Sequence, residues 1–137
     1  MSGPRLAVAA LALCVGFAAP AHARSERMTV AAAKTFERQL TAAGPKDSCE
    51  LLKPCVLEDA KRTRKQAKLA RAKAATLAPG ACTRGLATAA RNYERFASAE
   101  TTYYRSKGKN GTKAMNRAGK ALADFFFHRF RDDCVRR

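Results

Sequence analysis

Residues 81–105, ACTRGLATAARNYERFASAETTYYR, carry the pattern that decides the fold. Cys82, Leu86, Ala89, Ala90, Tyr93, Phe96, Ala97 and Tyr104 recur at threes and fours, which gathers them on one side of an α-helix. Ala78-Pro79-Gly80 stands before this run and Ser106-Lys107-Gly108-Lys109-Asn110-Gly111 after it. Both are helix-breaking turn sequences, so the helix has a marked start and a marked end.

The same periodicity extends in both directions. Upstream, Met28, Ala32, Phe36, Leu40 and Ala43 outline a first helix over about Glu26 to Ala43, stopped by Gly44-Pro45. Asp47-Ser48-Cys49-Glu50 has the form of a capping box for one short turn carrying Leu51 and Leu52. Pro54 then suits the first turn of a second helix that runs to about Leu77. Downstream, Thr112 caps a fourth helix whose apolar stripe reads Met115, Gly119, Leu122, Ala123, Phe126 and Phe130. The expected fold is all-α: a small, disulfide-stapled, up-down bundle of about four helices.

The cysteines support that topology. Cys82 and Cys134 lie at the start of the third helix and the end of the fourth, which are neighbours in an antiparallel hairpin. Cys49 and Cys55 share the link before the second helix. The expected pairs are therefore Cys82–Cys134 and Cys49–Cys55. A zinc site would want paired short spacings such as C-x-x-C, which the sequence lacks, and no metal site is assigned. Alanine is the dominant apolar residue and isoleucine and tryptophan are absent, so the core rests on a few large side chains. Disulfides fit such a thin core.

Residues 1–23 read as a cleaved signal peptide. Arg5 supplies the positive start, Leu6 to Ala19 the small and apolar run, and Ala21-His22-Ala23 the A-x-A cleavage pattern. The run is shorter than the roughly 20 residues a membrane span needs. Leu11-Ala12-Leu13-Cys14 has the outline of a lipidation site, but Leu13 is large where a small residue is required. The expectation is a secreted or periplasmic protein cleaved after Ala23, with residues 24–137 forming one domain and no transmembrane segment after cleavage. Of the 27 basic residues the leader holds only Arg5, so 26 remain against 11 acidic ones, a net charge of +15.

That charge is densest in Lys61 to Lys73, which holds seven basic residues and no acid. Val56, Ala60, Thr63, Ala67, Ala70, Ala74 and Leu77 form a narrow apolar edge of the same helix. Lys61, Arg62, Lys65, Lys68, Arg71 and Lys73 fan around the rest and are the candidate anion-binding residues. Like charges three and four apart repel, at a few tenths of a kcal/mol per pair, and an anionic partner would relieve them. The expected partner is a phospholipid head group or wall polymer, with Arg84, Arg91 and Arg95 extending the patch. Export and the lack of a recognised motif argue against specific nucleic-acid reading.

Other features define the alternatives. Lys120, Asp124, His128, Asp132 and Arg136 stand four apart and read as an ion-pair ladder, or, for a small metal-assisted hydrolase, as an Asp-His-Asp site. Phe125, Phe126 and Phe127 cannot all face one core, and the expected arrangement has two neighbouring helices covering them. An exposed ring among them, such as Phe125 or Phe127, would suit a secreted protein-interaction or inhibitor module. Glu100 falls within the third helix's apolar stripe and reads as a hydrogen-bonded or bundle-end residue. Asn110-Gly111-Thr112 is a glycosylation sequon in a eukaryotic host and otherwise a turn. There is no G-x-S-x-G nucleophile turn. A non-catalytic protein without a cofactor is expected.

Overall fold

The computed structural model describes residues 24–46 and 49–137. The leader, including Cys14, and the capping residues Asp47 and Ser48 lie outside the described residues. The expected all-α bundle with two disulfides is present. Helix α1 spans Val30–Ala43, α2 Cys55–Ala75, α3 Ala81–Arg105 and α4 Thr112–Ala123. A wide π-helical turn, Asp124–Arg129, continues α4 into the short α5, Phe130–Cys134.

Each helix runs antiparallel to its neighbour. α2 packs along α3, and α3 along α4. α1 lies on the second half of α2, where Gln66 Nε2 donates to the Leu40 carbonyl at 2.9 Å and Lys73 Nζ sits 5.7 Å from the Phe36 ring centre. The disulfide Cys82–Cys134 joins the start of α3 to the end of α5, and Cys49–Cys55 closes the loop before α2. Both pairings agree with the sequence expectation.

α1 begins later than the periodicity suggests. Met28 N–H donates to the Cys134 carbonyl at 2.7 Å, and Arg136 N–H to the Met28 carbonyl at 2.8 Å. These bonds hold residues 24–29 as an extended strap across the bundle end, with Met28 buried. Thr29 Oγ1 then accepts from Ala32 N–H and caps the helix. Tertiary pairing of the backbone thus outweighs local helix preference in the four residues before Val30.

The core divides into two ends. At the strap end, Phe36, Leu40, Leu86, Phe125 and Phe130 pack with the Cys82–Cys134 bridge. At the other end α1 is missing, because it stops level with Gln66. There, α2, α3 and α4 meet through small side chains such as Ala60, Ala97 and Ala118 with Val56 and Met115. The α2 edge is buried as expected at Val56, Ala60, Thr63, Ala67 and Ala70.

The fourth helix departs from the expected stripe. Phe125 is buried, whereas Phe126 is only half-buried. The Phe130 N–H bonds to the Phe125 carbonyl, five residues back. In a regular helix five residues turn about 140° past a full circle, which would separate these rings. The wide turn instead stacks them one above the other, with centres 5.9 Å apart in a T-shaped contact. Gly85 on α3 leaves the room, since a Cβ there would collide with the Phe125 ring.

Candidate anion-binding surface

The six candidate residues of α2 fall into three groups once the helix is seated. Lys61, Lys65 and Lys68 lie on the side opposite the buried edge and are exposed. Seven residues separate the first and last, so the row is about 10 Å long. Arg62 and Lys73 lie on the flank of α2 that also carries Gln66, and both are partly covered. Arg62 keeps only a quarter of its side chain exposed, and Lys73 lies against the Phe36 ring. Arg71 turns toward α3 and donates to Glu94 Oε1 at 2.6 Å.

The pairing follows from this seating. Lys61 and Arg62 share Glu58, at 3.6 and 3.9 Å. Both contacts are loose, the Lys61 one is largely exposed, and ion pairs of this kind contribute little. Lys65 and Lys68 take part in no ion pair among the described residues. The Arg71–Glu94 hydrogen bond is the tight one. It holds the Glu94 carboxyl below its ordinary range, with burial opposing, and raises the Arg71 guanidinium. The six candidates therefore form one open lysine row with partly engaged flanks.

Arg84, Arg91 and Arg95 carry the positive charge around the bundle to the side of α4, away from the lysine row. Arg91 and Arg95 line a groove between α3 and α4, and Arg117 of α4 faces them across it. Arg84 lines the adjoining hollow with Arg129. Arg117 escaped the sequence reading because a lone arginine on α4 has no local signal. Only the α3–α4 packing brings it beside the other two.

The column of five residues on the fourth helix is broken by the wide turn. Lys120 Nζ pairs with Asp124 at 3.2 Å as the ladder requires. Beyond that, Asp133 pairs with Arg129, and Asp132 with Arg137. Arg136 instead donates from Nε to the Arg27 carbonyl. The extra residue per turn rotates the second half of the column out of line. Among the described residues no three His, Cys, Asp or Glu side chains converge as a metal site would need. Asp124, His128 and Asp132 therefore gain no support as a hydrolytic set.

Two further side chains differ from expectation. Of the three consecutive rings, Phe125 is interior and Phe127 is the outlier, 82% exposed. Glu100 is only 6% exposed, and its Oε2 has no hydrogen-bond partner. Burial pushes its carboxyl up to about 7; Asp59 adds to the rise and Arg64 opposes it. Of the expected hydrogen-bonded or bundle-end residue, the full hydrogen bonding is missing, and the carboxyl is a raised acid.

Among the described residues no helix is long and apolar enough to cross a membrane. No protein-family model, no curated protein and no solved structure matches the chain.

Proposed function

We propose that this is an exported, non-catalytic protein that binds an anionic component of the cell envelope or its surroundings through the basic face of α2. One observation carries the reading. From Ala60 to Tyr93 there are nine basic residues and no acidic one, and Lys65 and Lys68 stand exposed without ion pairs. Such a row repels itself, and bound anion replaces that repulsion with attraction. The mechanism is displacement of counterions over a broad surface, which makes binding sensitive to salt and only weakly selective. Two disulfides fit an oxidising compartment, and the A-x-A pattern at Ala21 to Ala23 fits export.

The test is co-sedimentation of residues 24–137 with anionic and with neutral vesicles, each at low and at near-physiological salt. Retention on anionic vesicles alone, fading with salt, is the expected result. Exchanging Lys61, Lys65 and Lys68 together for glutamine should remove most of it. Exchanging Arg62 and Lys73, which are partly covered, should change it far less. Equal retention of the wild type and the triple variant would refute the reading.

A second reading rests on Phe127. This exposed ring stands beside the exposed Val30, in a shallow pocket with Lys34 and Arg131. A protein partner seated there would bind with weak salt dependence, and Phe127→Ser would abolish the contact while leaving vesicle retention intact.

A further inference from the structure

We propose that the groove between α3 and α4 is a distinct site for a terminal phosphate, the monoester head group of an anionic lipid. The inference deepens the reading of an anionic partner and rests on it for the class of ligand. The groove has a volume of about 870 Å³ and carries three guanidinium groups: Arg91 and Arg95, one turn apart on α3, and Arg117 on α4. All three side chains belong to exposed residues, and among the described residues none of them makes an ion pair.

The remaining polar lining points the same way. Asn92, Ser98 and Thr102 add further hydrogen-bond donors. The one acid in the groove, Glu94, is turned to Arg71 of α2, whose charge offsets it. Arg91 is also oriented, since its Nη2 donates to Thr88 Oγ1 at 3.0 Å. Three forked donors lining one groove from two helices suit an anion with three acceptor oxygens and nearly two charges. A terminal phosphate has both, and a phosphodiester has one charge and two free oxygens.

The floor of the groove argues for a lipid over a free ion. Ala114 and the partly covered Ala121, with Ala99 and Ala118 nearly buried beneath them, leave a short apolar strip between the helices. A bare phosphate would cover none of it. The glycerol and upper chain carbons of a lipid would lie along it, with the phosphate among the arginines.

The site separates from the α2 lysine row by experiment. Vesicles of phosphatidylcholine are doped with phosphatidic acid or, at matched surface charge, with phosphatidylglycerol, and binding is read at near-physiological salt. The wild type should prefer the phosphatidic acid vesicles by about tenfold. Exchange of Arg91, Arg95 and Arg117 for glutamine should erase that preference while leaving low-salt binding to both vesicles. Exchange of Lys61, Lys65 and Lys68 should weaken low-salt binding to both and leave the preference in place. Circular dichroism confirms that each variant is folded. A wild type without the preference, or a preference that survives loss of the three arginines, overturns the proposal. Glycerol 3-phosphate that competes as well as the lipid itself overturns the lipid assignment, because the apolar strip would then contribute nothing.

Discussion

Glu100 shows how one side chain couples this fold to pH. Its carboxyl is buried between helices, next to Asp59 and without a partner for Oε2. The ordinary value of 4.5 applies to the unfolded chain, and the folded value is about 7. Below about pH 4.5 the group is protonated in both states and costs nothing. Between the two values the unfolded chain releases the proton first, so stability falls as pH rises, and the loss is complete above about 7. The full effect is on the order of 3 kcal/mol. Glu100→Gln should therefore flatten the dependence of thermal unfolding on pH and stabilise the protein above pH 7. An unchanged pH profile in that variant would show that another group is responsible. The sequence places Glu100 within an apolar stripe, but whether its oxygens find donors depends on α2, which no local pattern records.

Within the helices, the wide turn at Asp124–Arg129 is the element whose geometry matters most. It exists because Phe125 and Phe130 both enter the core although they stand five apart. Deleting the exposed Phe127 would set them four apart, and a regular turn would then stack them equally well. The expected cost in chemical denaturation is within about 1 kcal/mol. Phe130→Ala, by contrast, empties a buried site between α1 and α3 and should cost about 3–5 kcal/mol. If the deletion costs as much as the truncation, the turn has a role beyond aligning rings. A sequence read at a fixed 100° per residue assigns Phe126 to the core and extends the ion-pair column through Asp132 and Arg136. Both errors have one origin, a single change of helical pitch.

At the scale of the molecule, the small alanine core is held by cross-links and by the strap. Cys82–Cys134 closes a loop with a separation of 52 residues, Cys49–Cys55 one of 6. Loop-closure entropy makes the first worth roughly 4 kcal/mol and the second roughly 2 kcal/mol. Replacing Cys82 and Cys134 with serine should lower the denaturation midpoint much more than replacing Cys49 and Cys55. The opposite order would mean that the loop before α2 carries the fold. The strap adds a non-covalent closure at the same end, where residues 24–29 touch both the α2–α3 link and the chain's last residues. The three-helix end, with Glu100, has only the short Cys49–Cys55 loop and no strap, and should exchange its amide hydrogens sooner.

The all-α class and the α2 edge follow from the sequence alone, which also favours, among three possible pairings, the two disulfides the structure forms. Helical periodicity, Pro and Gly breaks and the antiparallel logic of short links are local quantities. The charge and its concentration between Lys61 and Lys73 are equally local. Three things were decided only by tertiary structure. Met28 leaves the helix because its backbone finds partners at Cys134 and Arg136, more than a hundred residues away. The fourth helix widens because two rings must share one cavity. Arg117 joins Arg91 and Arg95 because α4 is packed against α3. In each case the deciding energy lies in contacts between segments distant along the chain, and the pattern within one segment cannot encode them.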